Sequence, residues 1–248
     1  MIKLWTERAS SFLEFFFSGR FMSLKGVMRQ TQIRYGEPAE IEFYSGSGNW
    51  NFLLEEREVL SRVQQNGGKI LVVGCGAGRE FSLLRTLEVF GVDDCIPLLS
   101  NCQKNFPDAV LADSLSSFSE QRFDSIFVSF HVYNHIQGKQ NRLDFLRSLG
   151  NLCTERGEIF LFVDVFKLEE GYRFLAASWL LRVLWIFSDL NWEAGDTLRK
   201  YNGGHNPWGR VFFYHYFRDA QEIKNELSIS GLKIQMENGY WKLMRLTS

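Results

Sequence analysis

The chain of 248 residues lacks both a large charge imbalance and a cysteine framework. Its 28 basic and 29 acidic side chains give a formal net charge of −1, and no long basic run is present. The electrostatic footprint of a nucleic-acid-binding protein is therefore missing, which weighs against a DNA or RNA substrate and leaves open only one of about the size of a tRNA. The cysteines at positions 75, 95, 102 and 153 form neither a CxxC pair nor a cluster with histidines. This pattern predicts no metal site and fits a reducing cytoplasm.

Long hydrophobic runs are absent as well. The aromatic stretch Phe12–Phe17 contains Glu14, so it does not resemble a signal peptide. The most apolar window, Phe174–Leu190, carries Arg182 and Asp189 and is shorter than the roughly 20 residues that a membrane span requires. We therefore predict a soluble, cytoplasmic protein without a membrane span. We interpret this window as a buried or capping helix, and a helix at a membrane surface is the alternative.

What the chain does contain is a regular alternation of short apolar strands and amphipathic helices. This alternation is typical of a doubly wound α/β fold with a mostly parallel sheet. Asn238-Gly239 predicts the tight turn of a closing β-hairpin. The predicted strands are Lys69–Val73, Val89–Val92, Ala109–Leu111, Ser125–Phe130, Glu158–Val165, Leu232–Met236 and Trp241–Leu246, and the predicted helices are Phe52–Val63, Arg79–Leu87, Cys95–Phe106, Arg142–Cys153 and Arg218–Ile229.

The same pattern divides the chain into four parts. Residues 51–166 are predicted to form the α/β core, and residues 218–248 complete it with the last helix and the hairpin. Residues 1–50, in which aromatics are mixed with Lys and Arg, are predicted to form a helical lid. Residues 167–217, where the alternation pauses, are predicted to form a cap or substrate-binding insertion. The N-terminal aromatics and the apolar window supply the rest of a cap or, alternatively, a homodimer interface.

The first strand ends in a glycine-rich loop, Val72-Val-Gly-Cys-Gly-Ala-Gly78. Glycines permit a tight turn and a close approach of the backbone to a ligand, and ligands of doubly wound sheets bind at the carboxyl ends of the strands. The second strand ends at Asp93, whose carboxylate can accept hydrogen bonds from two ribose hydroxyls. Asp113 follows the third strand, where it is placed for an adenine amino group. These three features at successive strand ends predict a nucleotide-like cofactor.

The glycine spacing separates two cofactor classes. A dinucleotide fingerprint is G-x-G-x-x-G, and it holds a pyrophosphate at a helix N-terminus. Here the loop is G-x-G-x-G, and Arg79 stands where the third dinucleotide glycine would be. The spacing therefore disfavours an NAD-dependent dehydrogenase.

With these motifs, the chain resembles the class I, Rossmann-like S-adenosylmethionine-dependent methyltransferases of small molecules. The resemblance implies S-adenosylmethionine as cofactor and S-adenosylhomocysteine as product. It also implies a seven-stranded sheet of order 3-2-1-4-5-7-6 with an antiparallel seventh strand, plus a helical cap. The matching segments are Lys69–Gly78, Gly91–Asp94, Leu111–Ser114, Phe123–His131 with Asn134–Ile136, and Gly157–Val163. Ala112 departs from the family, where glycine is frequent, but this is a small-for-small change.

The resemblance further implies a set of cofactor-binding residues. Glu80, just after the loop, either positions the ammonium group of the methionine tail or is simply an acid favoured by the dipole of a first helical turn. Tyr44 would close the site from its N-terminal side. The full set is Tyr44, Gly74, Cys75, Gly76, Gly78, Glu80, Asp93, Asp94, Asp113, Ser114, Ser129 and Phe130.

Methyl transfer requires an acceptor aligned with the methyl group and a site that excludes water. Candidate catalytic residues follow the fourth strand: His131, Tyr133 and His135. His131 is the preferred general base because it stands at the strand end and titrates near neutrality, although either histidine can serve packing alone. Candidate substrate residues are His205, Trp208, Tyr214 and His215, which belong either to a mobile lid over an aromatic pocket or to an aromatic strand in the core.

Three functions compete at this stage. The preferred hypothesis is methyl transfer to oxygen or nitrogen of a small molecule, such as a specialised metabolite. The second is a catalytically silent S-adenosylmethionine-binding protein that regulates or scaffolds a partner, with its acceptor pocket plugged by the aromatics of residues 205–216. The third is the disfavoured NAD-dependent dehydrogenase.

Overall fold

The computed structural model describes residues 35–45, 52–85, 87–165, 193, 195–200 and 211–245. The expectations for the N-terminal aromatic stretch, the Phe174–Leu190 helix, His205 and Trp208 lie outside these residues. The helices are α1 (Pro38–Ser45), α2 (Leu54–Asn66), α3 (Ile96–Asn105), α4 (Lys139–Leu152) and α5 (Ala220–Ser228). The strands are β1 (Lys69–Val73), β2 (Glu88–Val92), β3 (Val110–Ala112), β4 (Phe123–Val128), β5 (Cys153–Leu161), β6 (Asp196–Lys200), β7 (Val211–His215), β8 (Leu232–Glu237) and β9 (Tyr240–Arg245).

Seven of these strands form one sheet in the order β3-β2-β1-β4-β5-β9-β8. Strands β1 to β5 pair in parallel, and β9 runs antiparallel between β5 and β8. When the strands of this sheet are numbered by themselves, the expected order 3-2-1-4-5-7-6 is confirmed, as is its antiparallel last strand. The chain turns back across the sheet between β1 and β4, which is where a doubly wound fold opens a crevice for a ligand.

Apolar side chains fill both faces of the sheet. In β1, Leu71 and Val73 belong to the cluster on one face, where α4 and α5 pack. Ile70 and Val72 belong to the cluster on the other face, where α2 and α3 pack. Because successive strand residues point to opposite faces, a strand covered on both sides must be apolar at nearly every position. The continuous run in β1 is therefore the direct consequence of its central place.

The helix predicted over Arg79–Leu87 is wrong. The structure has only a short 3₁₀ turn, Glu80–Leu83, after the glycine loop. Phe81 and Leu84 both point into the core, and this spacing of three residues suits a 3₁₀ turn. The Arg85 guanidinium then donates to the Ser82 carbonyl at 3.1 Å, which occupies an acceptor that a continuing helix would use.

Strands β6 and β7 form a separate antiparallel sheet in which Asp196 pairs with His215. A parallel bridge between Val165 and Phe217 connects the end of this pair to the segment after β5. Phe213, Tyr214, Tyr216 and Phe217 are buried. Of the two interpretations of this aromatic segment, the structure supports the buried strand for the residues that it describes.

Two further features are the state of the cysteines and the character of the described helices. The cysteines at 75, 95, 102 and 153 are all buried, and none forms a disulfide. Among the described helices, none has the length and apolarity that crossing a bilayer would require.

Candidate active site

The glycine loop joins β1 to the 3₁₀ turn at the edge where the parallel strands end. Gly74, Gly76 and Gly78 have φ values of +75°, +49° and +90°. A Cβ at Gly74 would overlap the Val132 side chain, and a Cβ at Gly78 would lie 2.8 Å from the Cys102 sulfur. The first and third glycines are thus required both by a left-handed backbone and by close packing. The Gly74 N–H donates to the Val92 carbonyl at 2.8 Å, which holds the loop against β2.

Asp93 follows β2 and supports the loop from below. Its Oδ2 accepts a hydrogen bond from Gly76 N–H and its Oδ1 accepts one from Cys95 N–H, both at 2.9 Å. Burial raises the pKa of Asp93 to about 6, and the two backbone donors oppose this shift. Each carboxylate oxygen has a second lone pair, so the same side chain can still accept hydrogen bonds from the hydroxyl groups of a ligand.

The other predicted residues at the ends of β2 and β3 lie nearby. Asp93 N–H donates to the Ala112 carbonyl at 3.2 Å, which brings the ends of the two strands together. Asp94 and Asp113 are exposed at this edge. The Ser114 hydroxyl accepts a 3.3 Å hydrogen bond from Ser116 N–H and so caps the following turn. The structure therefore brings the predicted acidic pair, Asp93 and Asp113, to one edge of the sheet.

Cys75 of the glycine loop and Glu80, just after it, are both buried and bonded to other protein groups. Cys75 is only 2% exposed, its N–H donates to the Val92 carbonyl at 3.2 Å, and its carbonyl accepts from Gly78 N–H at 2.8 Å. A hydrogen bond with Cys102 and burial raise the pKa of the Cys75 thiol well above its usual range. Glu80 is also buried, and its Oε1 accepts from Arg79 Nη2 at 2.7 Å and from Ser129 Oγ at 3.1 Å. Glu80 thereby joins the loop to the end of β4.

Arg79 extends this cluster to α2. Its Nη2 contacts Glu56 Oε1 at 2.5 Å, and the Glu56 side chain is almost completely buried. Burial raises the pKa of Glu56, whereas the Arg79 charge opposes the shift. Arg79 is the residue that replaces the third glycine of a dinucleotide loop, and here it neutralises two buried carboxylates.

The segment that contains α1 covers the same edge. Tyr35, Ile41 and Tyr44 pack against a small cluster that contains Ala77 of the loop, Cys95 and Leu98. The rings of Tyr35 and Tyr44 lie 5.8 Å apart between centroids. Tyr44 is thus placed beside the glycine loop, as expected for a residue that closes the site from the N-terminal side.

The residues after β4 form the second half of the site. Ser129 N–H donates to the Val73 carbonyl at 2.9 Å, so this half begins beside the glycine loop. Phe130 and His131 follow, with ring centroids 3.8 Å apart. His131 has a φ of +74°, which is rare for a residue with a side chain and is often seen at functional sites.

Both predicted catalytic histidines contact β7. His131 Nδ1 is hydrogen-bonded to the Tyr214 hydroxyl, and that hydroxyl donates to Asp164 Oδ2 at 3.1 Å. His135 Nδ1 lies 2.9 Å from the Phe213 carbonyl oxygen. The structure therefore brings His131, His135 and the predicted substrate residue Tyr214 together.

Tyr133 and His215 have other surroundings. Tyr133 is fully buried, stacks on Phe217 and donates to Glu226 Oε1 at 2.8 Å. Burial and the Glu226 charge raise the pKa of its phenol far above the usual range. His215 is 2% exposed, and its Nδ1 lies 2.6 Å from Asp196 Oδ1. Neither side chain is presented at the surface with His131, so both have the contacts of structural residues.

A buried ion-pair network surrounds these two residues. Arg142 donates to Glu226 through Nε at 2.7 Å and through Nη2 at 2.8 Å, and Nη2 also reaches Glu193 at 2.8 Å. Ligand atoms of Glu193, Asp196 and His215 lie within 4.8 Å of one another. Arg142 neutralises Glu193, and His215 is already bonded to Asp196, so this cluster has the partners of an ion-pair network.

Asp164 is the residue at the mouth that the sequence reasoning missed. It lies three residues after the end of β5, beyond the buried Phe162 and Val163, whereas Asp93 and Asp113 directly follow β2 and β3. A polar side chain at the end of a buried apolar run is the signal that would have found it, because the run Ile159–Val163 ends at Asp164.

Comparison with known proteins agrees with this geometry. Residues 71–161 match a family model described as a methyltransferase domain. No curated protein sequence matches the chain. The DhpI-SAH complex is similar in structure, with a TM-score of 0.57, 15% identity, and coverage of 89% of this chain and 97% of that chain.

Two further solved structures are similar over most of their length. SAM-bound CalS10, an amino pentose methyltransferase from Micromonospora echinaspora, has a TM-score of 0.54 and 16% identity, with 85% of this chain and 97% of that chain covered. The sugar N-methyltransferase KedS8 from Streptoalloteichus sp. has a TM-score of 0.54 and 16% identity, with 85% and 93% covered. At identities this low, the likenesses establish the fold.

Proposed function

The chain carries a methyltransferase domain on the fold of the class I methyltransferases, and on this premise we propose that it transfers a methyl group from S-adenosylmethionine to oxygen or nitrogen of a small molecule. Sugar and amino pentose methyltransferases among its structural neighbours favour a nitrogen acceptor on a small polar molecule. When bound, the cofactor supplies a methyl group made electrophilic by the sulfonium.

The observation that carries this proposal is the arrangement of Asp93 under the glycine loop. Its carboxylate is held in place by Gly76 N–H and Cys95 N–H and keeps acceptor capacity for two ribose hydroxyls. Asp113 would accept from the adenine amino group, and the backbone of Gly74–Gly78 would lie along the methionine tail. Tyr44 would cover the cofactor from the side of α1.

The structure after the loop also favours this cofactor over a dinucleotide. A pyrophosphate is bound by the N–H groups and the dipole of an α-helix that begins at the loop. Here the loop is followed by a 3₁₀ turn of four residues, and Arg79 is already paired with Glu56 and Glu80. The segment therefore offers little to a pyrophosphate.

On the acceptor side, His131 is the proposed general base. It lies in the segment that begins beside the glycine loop, and Val132 packs directly on Gly74. Its imidazole would take the proton that an O–H or N–H acceptor loses, which leaves a lone pair to form the new bond to carbon. His135 lies beside the same strand and is the second candidate.

Binding of S-adenosylhomocysteine, measured by isothermal titration calorimetry, tests the cofactor. Asp93→Ala should weaken binding by about 100-fold, because two hydrogen bonds to a charged acceptor are lost. Asp108→Ala removes an exposed aspartate near β3 and should leave the affinity unchanged. Asp93 also supports the loop, so Asp93→Asn, which keeps the size of the side chain, is measured in parallel.

Two results would count against the proposal. Unchanged affinity in both Asp93 variants would exclude the site, and binding of NADH in place of S-adenosylhomocysteine would exclude the cofactor class. If cofactor binds but no methyl product forms with a panel of amine and hydroxyl metabolites, the silent cofactor-binding protein becomes the better description.

A further inference from the structure

The hydrogen bonds around His131 define where its proton lies. The Tyr214 hydroxyl has one proton, and its oxygen lies 3.1 Å from Asp164 Oδ2. A carboxylate accepts hydrogen bonds and does not donate them, so the contact with Asp164 is a hydrogen bond only if it uses this proton. The same hydroxyl also contacts His131 Nδ1, a nitrogen that donates or accepts according to its tautomer, and both contacts are hydrogen bonds only when Nδ1 donates to the hydroxyl oxygen. His131 therefore carries its proton on Nδ1.

We propose that Asp164 and Tyr214 are positioning residues that fix His131 in the Nδ1–H tautomer and present its Nε2 as the proton acceptor. This deepens the proposed function, on which it rests for the role of His131 as the base. An imidazole held by a partner on one nitrogen has its other nitrogen defined as the acceptor. Asp164 acts through Tyr214, and Tyr214 acts through His131.

The chemical step balances with this assignment. The proton of the acceptor O–H or N–H moves to Nε2 of His131. The lone pair of the acceptor forms the bond to the methyl carbon, and the electron pair of the broken sulfur–carbon bond stays on sulfur. The imidazolium that results is positively charged, and its Nδ1–H points along the chain toward the negative charge of Asp164, which stabilises it.

The buried side chain of Asn134 holds the two segments that carry Asp164 and Tyr214. Asn134 is fully buried, and its Oδ1 accepts from Asp164 N–H at 3.0 Å while its Nδ2 donates to the Asp164 carbonyl at 3.2 Å. The same Nδ2 donates to the His215 carbonyl at 2.7 Å, next to Tyr214 on β7. One buried amide therefore positions both the segment after β5 and the strand that carries Tyr214. The backbone of Asp164 is held independently of its own side chain.

His135 provides an internal reference. Its Nδ1 lies 2.9 Å from the Phe213 carbonyl, which can only accept, so His135 also carries its proton on Nδ1. This bond is made to the backbone and does not involve Asp164 or the Tyr214 hydroxyl. The two histidines should therefore respond differently when the hydrogen bonds that link His131 through Tyr214 to Asp164 are interrupted.

Long-range ¹H–¹⁵N NMR correlation spectra of the histidine rings test the assignment, because they distinguish a protonated ring nitrogen from an acceptor nitrogen. The chain has four histidines, so the spectrum is simple, and His131→Gln and His135→Gln identify the two signals. The spectra are recorded at about pH 8, where an ordinary imidazole is neutral. In the unmodified protein, His131 and His135 should both be Nδ1–H.

Two substitutions interrupt the hydrogen bonds between His131, Tyr214 and Asp164 at different points. In Asp164→Leu the Tyr214 proton loses its acceptor and turns to His131 Nδ1, so His131 should change to the Nε2–H tautomer. In Tyr214→Phe the oxygen is gone, and the Nδ1–H signal of His131 should give way to a mixture of tautomers. His135 should keep its Nδ1–H signal in both variants.

Tyr240→Phe is the matched control, because it removes a hydroxyl that donates to a different carboxylate, Glu237, at 2.8 Å. It should leave the His131 signal unchanged. An Nε2–H tautomer in the unmodified protein, or an unchanged Nδ1–H signal in Asp164→Leu, would overturn the assignment. The readout needs neither cofactor nor acceptor, so a failure of S-adenosylhomocysteine to bind would refute the proposed function separately.

Discussion

Arg142→Leu should destabilise the protein more than any exposed substitution. The Arg142 side chain is 1% exposed, and it is bonded to Glu226, Glu193 and the carbonyl of Ile136. Its removal leaves the carboxylate of Glu226, which is also buried, with the Tyr133 hydroxyl as its remaining hydrogen-bond donor among the described residues. Loss of one partner from a buried ion pair costs about 3–5 kcal/mol, because the other charge stays buried without compensation.

The size of this effect can be measured by thermal unfolding. In a protein of this size, about 1 kcal/mol corresponds to roughly 2–4 °C in Tm, so the variant should unfold about 6–20 °C lower. The double variant Arg142→Leu with Glu226→Leu removes both charges of the buried pair and should recover part of the loss, because the buried Tyr133 hydroxyl then lacks its carboxylate acceptor. Arg147→Leu is the control, because its pair with Asp144 is on the exposed face of α4 and should contribute about 0.5 kcal/mol or less.

The reasoning fails if Arg142→Leu loses less than about 1 kcal/mol, the range expected for an exposed pair. It also fails if the double variant is no more stable than the single variant, since the cost would then come from packing alone. Urea unfolding at fixed temperature gives the same comparison without relying on reversibility at high temperature.

Two other results are expected. Because burial raises the pKa of Asp93 to about 6, its carboxylate loses charge as the pH falls through that value, so affinity for S-adenosylhomocysteine should decrease between pH 7.5 and pH 5, and calorimetry of Asp93→Asn should show a flat profile. Tyr133→Phe should lower the free energy of unfolding by about 1 kcal/mol through loss of its bond to Glu226 while cofactor affinity is kept, and a loss of turnover with unchanged stability would instead support the predicted catalytic role.

The sheet and its cofactor edge could be predicted because the signals are local. The apolar run Lys69–Val73 and the glycines after it each follow from a buried central strand and a tight turn. Asn238-Gly239 predicts the hairpin that joins β8 to β9, and the structure confirms it. Asp93 was identified from its position after β2, and its contact with Gly76 places it beside the loop.

The remaining features depend on contacts between distant segments. The sequence predicts Arg142 only as the first residue of a helix, whereas the fold bonds its guanidinium to Glu226, 84 positions later. The sequence predicts Tyr133 as a catalytic residue after β4, but its phenol lies in the core, where it donates a hydrogen bond to the same Glu226. The short turn after the glycine loop depends on how Phe81 packs against Phe106. No local pattern reports these partners, because they become neighbours only when the sheet has formed.

The two halves of the site come from different stretches of chain and meet along a narrow seam. The seam includes Gly74 packed against Val132 and Glu80 bonded to Ser129. The half that contains Asp93 depends on β1, β2 and β3, whereas the half that contains His131 depends on β4, β5 and β7. Substitutions on β7 and after β5 can therefore change the contacts of His131 without touching the hydrogen bonds that Asp93 makes to the glycine loop.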